Sequence, residues 1–140
     1  MATLYSPDAN NKLLHTGDHG NAVIYTYEYD AAASSADVLR LGKIPAGTRV
    51  TSVRLIGEDT GTSVTLDVGY APADGTAPTA APSYWWNDLD TSTAAVDVTS
   101  GSLPIRFERD VWLEALVNSA NFTGTPKLTF IVTGINEGVK

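Results

Sequence analysis

The feature that most constrains this chain is a two-residue alternation of apolar and polar side chains that returns in short runs along almost its whole length. Val23, Tyr25, Tyr27 and Tyr29 alternate with Ile24, Thr26 and Glu28. Val64, Leu66, Val68 and Tyr70 alternate with Ser63, Thr65, Asp67 and Gly69, and Leu128, Phe130 and Val132 alternate with Thr129, Ile131 and Thr133. Period two places successive side chains on opposite faces of a strand, so each run is a half-buried strand with one face toward a core. No window of a dozen residues carries a 3.6-residue period bounded by caps, which excludes a helical architecture.

Further strands are expected over 37–43, 49–56, 94–98, 103–107 and 111–117, for about eight in all. Turn chemistry separates them: Ile44-Pro45-Ala46-Gly47, Glu58-Asp59-Thr60-Gly61 and Glu108-Arg109-Asp110. In the 49–56 run, Val50 and Val53 fall on opposite faces of a regular strand, which calls for a bulge or a strand buried on both sides. Pro72, Pro78 and Pro82 block ladder pairing and mark a long surface loop. The expected fold is an antiparallel β-sandwich of jelly-roll type, with a closed barrel as the nearest rival.

Residues 1–21 are dense in turn formers, among them Asp8, Asn10, Asn11, Gly17, Asp18, Gly20 and Asn21, and are read as an extended N-terminal arm. Residues 22–140 then form a single domain, since 140 residues suit one core and crowd two. No apolar run approaches the roughly 18 residues of a membrane helix, and the N-terminus lacks the basic and apolar segments of a secretory signal. The expectation is a soluble protein made in the cytoplasm, with no membrane partner. Without cysteine, neither disulfides nor thiolate metal sites can contribute, so stability rests on packing and assembly. Sixteen acids against nine scattered bases leave a net charge of −7 and no basic stripe to follow a phosphate backbone, so nucleic acid is excluded as an expected partner.

A search for chemistry returns little. His15 and His19 stand four apart, a ligand spacing on a helix, but Gly17 and Gly20 argue against a helix and no third ligand is forced nearby. Asp88 and Asp90 offer oxygens at alternate positions yet lack the glycine and distant glutamate of a calcium loop. Those two, like Glu108 and Asp110, are more simply turn caps than catalytic pairs. There is no nucleophile elbow and no phosphate loop. No metal, no cofactor and no enzymatic activity are expected.

What does stand out is Ser83-Tyr84-Trp85-Trp86-Asn87 beside the proline-rich loop. Three large aromatics in a row cannot all face one core from a regular strand, so this cluster is either a contact surface, for an oligomer partner or for stacking on a sugar, or a segment that folds back and buries all three rings over one sheet. Trp112, inside a strand, is expected in the core.

Two stretches, Leu41-Gly42-Lys43-Ile44-Pro45-Ala46-Gly47-Thr48-Arg49-Val50 and Ser63-Val64-Thr65-Leu66-Asp67-Val68-Gly69-Tyr70, resemble a pattern in small virion proteins of tailed bacteriophages. There a turn of the form G-x-(I/L)-P-A-G precedes a strand and T-L-D-V-G forms the next one. The resemblance covers about residues 38–71. It implies a capsid decoration, or cement, protein that binds the outside of the shell, with the major capsid protein as partner and a homo-oligomer, favoured as a trimer, as the working form. The turn and strand residues would then be scaffold, and contacts would come from arms and loops. The candidates are the apolar residues of the arm, Leu4, Tyr5, Leu13 and Leu14, together with Tyr84, Trp85 and Trp86. A carbohydrate- or receptor-binding sandwich, possibly in the tail, that stacks ligand on the same three aromatics is the alternative, and a small hydrolase is the weakest reading.

Overall fold

The computed structural model describes residues 1–6 and 21–138. The second histidine and the first, His19 and His15, and the arm residues Leu13 and Leu14 lie outside the described residues. Ten strands follow in chain order: β1 (Thr3–Tyr5), β2 (Ala22–Tyr29), β3 (Val38–Ile44), β4 (Thr48–Glu58), β5 (Thr65–Pro72), β6 (Ala81–Asp90), β7 (Ala95–Thr99), β8 (Ile105–Arg106), β9 (Val111–Asn118) and β10 (Leu128–Asn136). Among the described residues there is no helix.

The strands form two sheets, one ordered β1-β3-β9-β5-β6 and the other β2-β10-β4-β7, with β8 also on β4. Four antiparallel pairs, β2 with β10, β3 with β9, β4 with β7 and β5 with β6, make the chain one long folded ribbon whose tip is the β5–β6 connection. That ribbon is rolled so that β10 also pairs with β4 and β9 with β5. This is a jelly roll of eight strands, with β1 and β8 as additions. The eight strands expected and the eight of the roll are not the same set. The expected strand over 103–107 shrinks to Ile105–Arg106, while β1 and β6 arise in segments read as arm and loop.

Both unexpected strands have physical reasons. β1 is three residues long and pairs in parallel with β3, so its existence depends on an acceptor edge 35 positions away along the chain and not on its own propensity. β6 is an edge strand that accommodates Pro82 and shows no clean alternation because its pairing with β5 shifts register twice. At Gly69 of β5 a side chain would overlap the backbone of Ala81 and Pro82, so this glycine lets β6 cross close over its neighbour.

The core lies between the sheets. Val23, Tyr25, Tyr27 and Tyr29 from β2 meet Leu66, Val68 and Tyr70 from β5 and Leu113, Ala115 and Val117 from β9. The pairing of β10 with β4 runs Thr133 against Ser52 and then Gly134 against Val50, so Thr51 is an extra residue. That bulge turns Val50 and Val53 to the same side, and both are buried. A second bulge in β3 puts Gly42 opposite Leu113 on the inner face, where the ring of Tyr27 occupies the space of the missing side chain. The Tyr27 hydroxyl then donates to the Lys43 carbonyl at 2.6 Å. The leading glycine of the Gly42-to-Gly47 motif is thus a seat for a core tyrosine.

The hydroxyl of Tyr25 is also buried but has no hydrogen-bond partner among the described residues, and burial pushes its phenol pKa up. The two tyrosines therefore differ in what the hydroxyl contributes. Tyr27→Phe orphans a carbonyl and is expected to lower unfolding free energy by about 1–2 kcal/mol. Tyr25→Phe removes an under-satisfied group and is expected to change it by less than about 1 kcal/mol, or to raise it. Urea denaturation of both variants checks this, and equal losses would contradict it.

Candidate functional site

Two regions gather the residues singled out from the sequence. The first is the edge where β1 lies along β3. Leu4 faces inward and packs on the core, whereas Tyr5 faces outward and is 47% exposed. The Tyr5 ring meets Trp112 edge-on at 5.9 Å, and the Arg40 guanidinium lies 5.4 Å from the Trp112 ring and donates to the Tyr5 hydroxyl at 2.9 Å. Lys43 approaches the same indole with its ammonium 4.9 Å from the ring. Arg40 is further held by Glu114 at 2.8 Å, and these hydrogen bonds to Glu114 and Tyr5 raise its already high pKa against the cost of desolvation.

Trp112 is therefore buried but not in the core. It shares the outer face of β9 with Glu114, while Val111, Leu113, Ala115 and Val117 face inward. The signal was present in the sequence: in Val111-Trp112-Leu113-Glu114-Ala115 the indole falls on the polar beat of the alternation. Arg40, Lys43 and Glu114, absent from the sequence-based candidates, complete this surface. The arm expected to be irregular is thus, over its first six residues, an ordered part of the sheet edge.

The second region is the aromatic cluster. Trp85 is 5% exposed and sits in the core, which corrects its assignment as a contact residue. Its ring packs edge-on against Tyr84 at 5.6 Å and Tyr70 at 6.0 Å, and Tyr70 packs on Phe107 at 4.8 Å. Tyr84 is half-buried, with its hydroxyl donating to the Leu103 carbonyl at 2.8 Å while Ser102 donates to the Tyr84 carbonyl at 2.9 Å. Trp86 is half-buried as well. The three rings do not form one plane, because the register shifts in β6 send them in different directions.

Beside this cluster, the loop 73–80 and the segment 105–109 flank a half-open pocket of about 210 Å³. Tyr70, Ala77, Pro78, Ile105 and Phe107 make it largely apolar, and Arg106, Glu108 and Arg109 stand at it as well. The loop is pinned by Asp74. This carboxylate accepts the backbone N–H groups of Thr76 and Ala77 and a hydrogen bond from Arg109 at 2.7 Å, which together hold its pKa well below the usual carboxylate range.

The carboxylates weighed as catalytic or calcium-binding have structural duties. Asp90 accepts from both the backbone and the hydroxyl of Ser92, Asp110 accepts from the Ala46 N–H, and Glu108 pairs with Arg106. Asp88 and Asp90 lie in β6 and not in a free turn, and Asp88 takes a hydrogen bond from Thr65. Among the described residues no three acids or histidines converge in a way that could hold a metal ion.

No protein-family model and no curated protein matches the chain. Solved structures do. A chain in the capsid of Ralstonia phage GP4 aligns over 99% of this chain and 99% of its own length, with 17% sequence identity and a TM-score of 0.74. A chain in the capsid asymmetric unit of cyanophage Pam1 aligns over 90% of this chain and 94% of its own, with 18% identity and a TM-score of 0.58. The chain has a jelly-roll fold that occurs in phage capsids. At these identities the likeness lies in the fold.

The division between Trp85 and Trp86 can be read in stability. Trp85→Ala empties a core position and is expected to cost about 3–5 kcal/mol. Trp86→Ala, at the half-buried neighbour, is expected to cost less than half as much. Chemical denaturation monitored by far-UV circular dichroism measures both, and a Trp85 variant as stable as the parent would contradict the core placement.

Proposed function

We propose that this chain is a structural protein of a tailed-phage virion that binds the outside of the capsid as a decoration, or cement, protein. The observation that carries the reading is the end-to-end likeness to a chain in the capsid of Ralstonia phage GP4, which leaves almost no residue of either chain outside the common fold. The resemblance of the Leu41–Val50 and Ser63–Tyr70 stretches to small virion proteins supports it independently, and Gly42 and Gly69 have scaffold roles in the fold that suit such a reading. No catalytic role is proposed.

In this reading the partner is the major capsid protein, and the chain acts as a homo-oligomer, a trimer being favoured. Contacts are assigned to Tyr5 at the sheet edge, to Leu13 and Leu14 in the arm, and to Tyr84 and Trp86 on the aromatic side, while Leu4, turned into the core, anchors the strand that presents Tyr5. The outer face of the β2-β10-β4 sheet adds Ile24, Ile56 and Ile135, all exposed, with Ile24 at 68%. Isolated exposed apolar residues are ordinary, but Ile24 and Ile135 are diagonal neighbours on adjacent strands and together offer a small apolar surface to a neighbour. Stacking on a sugar is the weaker reading, since the burial of Trp85 leaves no continuous aromatic platform.

Nucleic acid has no place in this assignment. All five arginines are engaged with carboxylates of the same chain, so little positive charge is free to meet phosphates.

The purified protein should co-sediment with capsids of its phage that lack it, saturating at a fixed ratio to the major capsid protein, and sedimentation velocity should show a trimer at micromolar concentration. Protein that stays in the supernatant with mature capsids at saturating concentration would refute the decoration role.

A further inference from the structure

Among the described residues, the hydrogen bonds that hold β1 run from residues 2–6 to β3 and the turn before it, and the Tyr5 ring meets Trp112 of β9. The Val38 N–H donates to the Ala2 carbonyl at 2.9 Å and the Ser6 N–H to the Arg40 carbonyl at 3.0 Å. The Ala2 N–H donates to Asp37 Oδ1 at 3.1 Å, and the buried Ser6 hydroxyl donates to the Leu41 carbonyl at 2.6 Å. Three residue pairs set the register: Thr3 with Val38, Leu4 with Leu39 and Tyr5 with Arg40. With Leu4 on the core and Tyr5 on Trp112, this is a complete binding slot, and its chemistry does not depend on which chain supplies the strand.

We propose that the β3 edge is a strand-acceptor slot and that, between associated copies, it takes the β1 strand of a second copy, so that N-termini are exchanged. The edge cannot stand empty without exposing Trp112 and an unpaired row of backbone groups, a liability that a strand from either source removes. Exchange of an identical element makes new intermolecular contacts at almost no cost in lost ones.

The reach is sufficient. Fifteen residues, 7–21, separate Ser6 from Ala22. At about 3.3–3.6 Å each they can span about 50 Å, whereas a compact domain of this length has a radius of gyration of about 14 Å. No cysteine is present to tie the strand to its own domain, and three pairs of parallel pairing are a modest hold. When copies are crowded together, the effective concentration of a neighbour's strand approaches that of the chain's own. The inference concerns only the chain and its copies, and it stands or falls separately from the virion reading.

The absence of native cysteine makes the test direct. Thr3→Cys and Val38→Cys variants of the full chain, carrying different mass tags, are mixed at several hundred micromolar, incubated, oxidised and separated without reductant. Neither substitution touches the Tyr5, Arg40 and Trp112 contacts. The expected product is a 3–38 disulfide between differently tagged chains, at least tenfold in excess of the 3–3 and 38–38 products of chance collision, and reduced at least tenfold by Tyr5→Ala. The double variant Thr3→Cys/Val38→Cys calibrates the geometry. If it closes within single chains while the mixed variants give no 3–38 product above the collisional level, the strand stays with its own domain and the proposal is overturned. If the double variant fails to close at all, the slot itself is misplaced and the proposal falls with it.

Discussion

The structure depends on the placement of the last two long strands. β10 lies between β2 and β4, and β9 between β3 and β5, so each is paired on both edges and each ties an early strand to a later one. Loop-closure entropy opposes such distant pairing, and what offsets it is burial: Leu128, Phe130 and Val132 on β10 and Leu113, Ala115 and Val117 on β9 are fully enclosed. Remove these two strands and the ribbon has no reason to roll. The bulges at Leu41 and Thr51 follow from the same demand, since they keep apolar side chains on the inner face where a regular strand would turn them out.

This explains how much could be read from the sequence. β2, β5 and β10 alternate cleanly because one face is core and the other solvent, and the Val50 and Val53 mismatch called for either a bulge or a strand buried on both sides, of which the structure has the bulge. β1 and β6 were illegible for a common reason. Each is an edge strand whose existence depends on a neighbour, β1 on the Arg40 and Trp112 side chains beneath it and β6 on the clearance that Gly69 provides. The same holds for the site residues. Trp85 and Trp86 are adjacent and chemically alike, and only the register shifts in β6 decide which one is buried. Trp112 was legible as part of a strand, but the Tyr5 ring that covers it comes from β1, a segment whose pairing no local pattern announces.

The outer surfaces divide the labour. Positive charge is neutralised within the chain, through Arg49 with Glu137, Arg54 with Asp97 and Arg109 with Asp74, which leaves a surplus of acids facing solvent. Apolar side chains remain outside at a few places: Tyr5 at the β1 edge, Leu103 in the loop beside Tyr84, and Ile24, Ile56 and Ile135 on one sheet face. A closed roll that offers these places is suited to being a component held by its neighbours, which is the role proposed for it on a capsid.

The most direct measurement is a cryo-electron microscopy reconstruction of the phage particle at a resolution that separates strands. The account requires density for this jelly roll on the outer surface of the shell, in contact with the major capsid protein and repeated with the capsid symmetry. A particle whose shell carries no such density, or one in which the domain is found only in the tail, would contradict it.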